Sequence, residues 1–120
     1  MWYMSKFIDR ASDLKIDDGT ITACVSVPAD SVWFDGHFPG APLLPGVAQV
    51  AMVVEILGEA LGQPVNVADV SRVRFKLAIE PGERVDVVVT PREKDASSWG
   101  FRLLKGAELA CSGFLTLAKE

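Results

Sequence analysis

The sequence predicts an α+β domain in which an antiparallel sheet curls around one long buried helix. Three observations predict it. The segment Val47 to Leu61 is helical in length and apolar nearly all round. About four stretches with strand signals follow it, divided by short turn signals, and one β-branched stretch precedes it. A helix with no polar face must be covered, and a single sheet covers it by wrapping.

Phe7 to Leu14 reads as either a short helix or an extended lead-in. Asp17, Asp18 and Gly19 mark a turn. TITACVSV alternates and is β-branched, so a strand is expected from about Thr20 to Val27. PADSVWFDGHFPGAPLLPG is a long irregular segment, and such loops in compact domains are usually functional. Pro45 suits the first turn of the helix, where its missing N–H costs nothing. Gly62 suits the C-terminal cap, and Pro64 prevents continuation. The helix carries three polar exceptions, Gln49, Glu55 and Glu59. VNVADVSRVRFKLAI, RVDVVVTPRE, SSWGFRLLKG and AELACSGFLTLA read as strands, with turns at Pro81 to Glu83 and at Lys105-Gly106.

Composition bounds the function. The chain of 120 residues suits one domain over residues 1–120. Its apolar fraction of 49% is high, which predicts a subunit interface and a homodimer or larger assembly. A net charge of −4 argues against nucleic acid as the main partner. Cys24 and Cys111 have no metal spacing and His37 is the only histidine, so no metal site and no cofactor are expected. Two buried free thiols fit a reducing cytoplasm. MWYMSKFIDR lacks the pattern of a secretory leader, and the longest apolar run is too short to span a membrane. A soluble, cytoplasmic protein with no membrane partner is the expectation.

The loop before the helix carries the chemistry. It places His37 in HFPGAPLLPGV, with prolines at Pro39, Pro42 and Pro45. This stretch resembles the signature loop of the beta-hydroxyacyl-acyl-carrier-protein dehydratases, whose pattern is roughly HFPGxPxxPGV. His37, Phe38, Pro39, Gly40, Pro42, Pro45, Gly46 and Val47 all match. The likeness extends to FIDRASDLKIDDGTITACVSV before the loop and VSRVRFKLAIEPGERVDV after the helix, with a looser match at SGFLTL.

The resemblance implies a hotdog fold, paired edge to edge in a homodimer, with a trimer of dimers as the larger form. It implies dehydration of a 3-hydroxyacyl thioester to the trans-2-enoyl thioester. His37 would move the C2 proton, and the Gly46 amide would polarise the thioester carbonyl. A helix N-terminus suits that task, because its N–H groups are free and its end carries partial positive charge. The substrate-contacting positions would be Phe38, Pro39, Gly40, Val47, Gln49 and Ala51. The thioester would be carried by acyl carrier protein or coenzyme A. Arg72, Arg74 and Lys76 alternate along one strand, so they would share a face; they read either as a solvated row or as the contact with an acidic carrier protein. Trp33, Phe34, Phe75, Trp99 and Phe101 either line an acyl tunnel or fill the core and the interface.

One departure stands out. The family's acid lies fourteen positions after the histidine, and here that position is Ala51. Glu55 lies four residues further along the same face, where the family often has glutamine. A relocated acid at Glu55 is one reading, and Asp35 on the loop is a weaker substitute. Loss of a general acid costs roughly 10²–10⁴-fold in rate. Three functions therefore remain open: a dehydratase with Glu55 as its acid, a thioesterase using Glu55 to direct water, and a non-catalytic acyl-thioester-binding or structural subunit.

Overall fold

The computed structural model describes residues 11–26, 46–80, 82–92 and 95–118. The chain forms β1 (Ala11–Asp17), β2 (Thr20–Ser26), α1 (Gly46–Leu61), β3 (Val67–Phe75), β4 (Arg84–Arg92), β5 (Asp95–Lys105) and β6 (Glu108–Leu117). The strands make one antiparallel sheet in the order β1-β2-β4-β5-β6-β3. The layout is the expected one, with a correction at the start. Two strands, not one, precede the helix, and the open choice for Phe7 to Leu14 resolves to strand from Ala11 onward. Phe7 to Arg10 lie outside the described residues.

Local chemistry explains the connections. Asp18 and Gly19 both have positive φ, at 53° and 84°, as a tight two-residue hairpin turn requires. The helix ends as its glycine predicts: Gln63 N–H donates to the Gly58 carbonyl at 3.1 Å, and Gly62 N–H to the Glu59 carbonyl at 3.2 Å. This pair of bonds satisfies carbonyls that the last turn leaves open.

The core lies between α1 and one face of the sheet. Ile21, Ala23 and Val25 of β2 alternate inward, as do Val85, Val87 and Val89 of β4 and Trp99, Phe101 and Leu103 of β5. They pack on Ala48, Met52, Val53, Ile56 and Leu57 of the helix. The helix is not covered all round. Val47, Val50, Val54 and Leu61 recur at helical spacing away from the buried side. Val47 and Leu61 at the ends of that stripe are exposed, and Val50 and Val54 are half-buried.

The β3–β4 connection is clipped to β5. Lys105 Nζ donates to the Ala78 carbonyl at 2.6 Å and lies 3.0 Å from Glu83 Oε1. Glu83 Oε1 also accepts the Glu80 N–H at 2.7 Å. Between them Ile79 is fully buried.

Candidate active site at the helix start

The site must be built from α1 and β3, since His37, Phe38, Pro39 and Gly40 lie outside the described residues, as do Asp35, Trp33 and Phe34. The helix begins at Gly46, one residue before the expected Val47. Its first turn holds no acidic side chain, so nothing in that turn neutralises the positive end of the helix dipole. Val47 is exposed beside it. Gln49 and Ala51 are buried, with 4% and 8% of their surface exposed.

Glu55 sits one turn beyond Ala51. Its side chain is half-buried, and its Oε2 atom is shielded from water. Glu55 and Gln49 each have an interaction partner. Glu59, the third polar exception of the helix, is exposed near its end.

The edge strand β3 closes the other side of Gly46. A Cβ added to Gly46 would lie 2.7 Å from Phe75 Cζ and 3.1 Å from both Cε atoms. The tip of the ring thus occupies the space a side chain would need, and any larger residue would have to push it aside. Phe75 was a tunnel or core candidate; its contact with Gly46 was not legible, because the two residues are joined only by tertiary packing.

The basic row needs a correction. Arg72 and Arg74 do not alternate regularly, because the pairing of β3 with β6 shifts by one residue between Ser71 and Arg74. Arg72 is the extra residue, with φ of 53°. Arg74 pairs with Ser112 on the outer face of the sheet, and Lys76 lies past the end of the strand, where its N–H donates to the Ala110 carbonyl at 2.7 Å. All three cations are exposed. On the outer face Arg74 lines up through Ser112 with Arg102 of β5, and the row continues through Val88 and Thr22 to Lys15. Arg92 lies over the Phe114 ring, 4.2 Å from its centre.

The two thiols have different surroundings. Cys24 donates to Asp86 Oδ1 at 3.1 Å, and Arg84 Nη2 donates to its sulfur at 2.9 Å. The Asp86 hydrogen bond raises the Cys24 pKa, and Arg84 opposes it. Cys111 is buried in the core, and burial pushes its thiol up to about 11. Among the described residues no group of three or more His, Cys, Asp or Glu side chains is placed to hold a metal ion. No helix among them is long and apolar enough to cross a membrane.

With this geometry in place, comparison with known proteins decides the family. A family model for ApeI-like proteins, the ApeI dehydratase, matches residues 13–114. The chain belongs to that family. It is 36% identical over 104 residues to the 3-hydroxyacyl-[acyl-carrier-protein] dehydratase FabZ of Rhizorhabdus wittichii, a match that covers 79% of this chain and 66%, just under two thirds, of that protein. It is 32% identical over 125 residues to the FabZ of Streptococcus pneumoniae, covering 97% of this chain and 88% of that one. Among solved structures it resembles the dehydratase heterocomplex ApeI:P of Xenorhabdus doucetiae, with a TM-score of 0.78, 24% identity and coverage of 92% and 95%. That last likeness speaks for the fold, and the fold of the chain is the hotdog.

Proposed function

We propose that the chain is a lyase of fatty acid or related lipid synthesis that dehydrates 3-hydroxyacyl thioesters carried on acyl carrier protein. The single observation that carries this reading is the match to the dehydratase family across the sheet and the helix. The reaction removes a proton from C2 and the hydroxyl from C3, leaving the trans-2 double bond and water. His37 takes the C2 proton. The Gly46 N–H, at a helix start with no acid in its first turn, holds the charge that builds on the thioester oxygen. Glu55 protonates the leaving hydroxyl in place of the acid missing at Ala51. Its place on the same helix face as Ala51, one turn on, and its half-buried side chain support this.

The working unit is a homodimer, with a trimer of dimers as the larger form. Support comes from the uncovered apolar stripe of α1, from exposed Val47 and Leu61 to half-buried Val50 and Val54, and from β3 as an exposed edge strand. In such a dimer the Glu55 that serves each His37 comes from the partner subunit. Phe38, Pro39, Gly40, Val47, Gln49 and Ala51 contact the acyl thioester. Arg72, Arg74 and Lys76 meet the acidic carrier protein, offsetting the repulsion expected from a net charge of −4.

A turnover assay on 3-hydroxybutyryl and 3-hydroxydecanoyl thioesters tests the reading. It follows enoyl absorbance and free thiol together for wild type, His37→Ala and Glu55→Gln. Enoyl formation should fall by about 10²–10⁴-fold in both variants. Undiminished enoyl formation in Glu55→Gln would remove the relocated acid. Thiol release without enoyl product would make the protein a thioesterase, and binding without either product would make it a non-catalytic subunit.

A further inference from the structure

We infer that Phe75 is a positioning residue for the Gly46 amide, and that the bulge at Arg72 is what aims it there. The inference rests on the dehydratase reading, since it concerns the donor that this reading assigns to the thioester oxygen.

The pairing of β3 with β6 carries the argument. Val70 lies opposite Leu115, a core residue, so Val70 belongs to the helix side of the sheet. Ser71 lies opposite Phe114 on the outer side. With regular alternation from there, Val73 would face outward and Phe75 would follow it. The extra residue at Arg72 reverses this. Arg74 falls opposite Ser112 on the outer side, and Phe75 falls opposite the buried Cys111 on the helix side. A one-residue shift flips every later side chain. Without it the Phe75 ring would not reach α1.

The bulge is held at a conformational cost. Arg72 has φ of 53°, a left-handed conformation that strains an L-residue. Bulges of this kind recur beside active sites, where they re-aim a side chain. The gain is not burial, because Phe75 remains 54% exposed. A ring left this exposed recovers only part of what full burial of a phenylalanine gives. What the ring does achieve is contact. Its three tip carbons close on the position where a Gly46 side chain would project. It therefore abuts the first residue of the helix from the strand side. A donor aimed in advance stabilises a developing oxyanion more than one that must reorganise.

The test compares wild type with Phe75→Ala, Phe75→Tyr and deletion of Arg72, using the full chain and 3-hydroxybutyryl thioester. Phe75→Ala should lower kcat by about tenfold or more while KM changes by less than roughly threefold, because the contact matters chiefly in the transition state. Phe75→Tyr keeps the ring and should restore kcat to within roughly threefold of wild type. Deletion of Arg72 should match Phe75→Ala. The Gly46 amide proton should also move in the NMR spectrum when the ring is removed. An unchanged kcat in Phe75→Ala, with wild type active, overturns the inference and leaves the dehydratase reading standing. A Gly46 signal that does not move overturns it equally. A wild type inactive on every 3-hydroxyacyl thioester overturns the dehydratase reading and the inference with it.

Discussion

Two glycines meet the same geometric obstacle and should differ in what alanine costs them. At Gly113 an added Cβ would lie 2.8 Å from Phe101 Cζ, 3.1 Å from its Cε2 and 3.1 Å from Val73 Cγ2. At Gly46 it would lie 2.7 Å from Phe75 Cζ. The difference is in what can yield. Phe101 is 2% exposed and sealed in the core, whereas Phe75 is 54% exposed at the sheet edge. Forcing a methyl against a sealed ring costs about 1–3 kcal/mol. Restricting the unfolded chain by Gly→Ala returns about 0.4–1 kcal/mol. Gly113→Ala should therefore lose about 1–2 kcal/mol of stability. Gly46→Ala should stay within about 0.5 kcal/mol of wild type, because the Phe75 ring swings into solvent and alanine favours the helix. Its kcat should nonetheless fall by about tenfold, since the ring no longer braces the amide. Urea denaturation followed by circular dichroism at one protein concentration, beside a turnover assay, measures both. A neutral Gly113→Ala, or a Gly46→Ala that loses as much stability as Gly113→Ala, would refute the reasoning.

Four further outcomes are expected. The Glu83 carboxyl is held below its usual pKa, first by the Glu80 N–H and then by Lys105, so its contribution is present above the unfolded pKa near 4.5 and is lost as pH falls below it; Glu83→Gln should flatten the acid limb of stability against pH. Lys105→Ala, which frees the β3–β4 connection, should cost about 1 kcal/mol by denaturant titration. Cys111 is raised from 9.0 to about 11, so stability should decline as pH rises from about 9 towards 11, and Cys111→Ala should remove that slope in an alkaline titration. Cys24 should be alkylated before the buried Cys111, and Asp86→Asn should speed its reaction by removing the carboxylate that holds its proton.

How much was legible varied by element. The helix was readable because its signals are local: an unbroken apolar run ended by Gly62. The Asp18-Gly19 hairpin was readable for the same reason, since only certain residues accept its backbone angles. The strands β2, β4, β5 and β6 were readable from alternation, because each has one face in the core and one outside. The edge strands were harder. β1 is exposed along its described side chains, so no buried face imposed a pattern on it. β3 is exposed on both faces for most of its length, and its apparent basic alternation hid a bulge.

The candidate site divides in the same way. His37, Gly46 and the absence of an acid at Ala51 were visible in the order of residues alone. The half-burial of Glu55 and the closure of Phe75 on Gly46 were not. The sequence by itself determined where the chain turns, where the helix starts and stops, and which strands bury one face. Those outcomes depend on backbone preference and on periodicity within a few residues. The tertiary structure decided the strand order that places β3 beside β6, the extra residue at Arg72, and hence which side of the sheet Phe75 faces. Each of these depends on register against a strand some forty residues away. Register between distant strands is set by which side chains the core accepts, and no local signal records it.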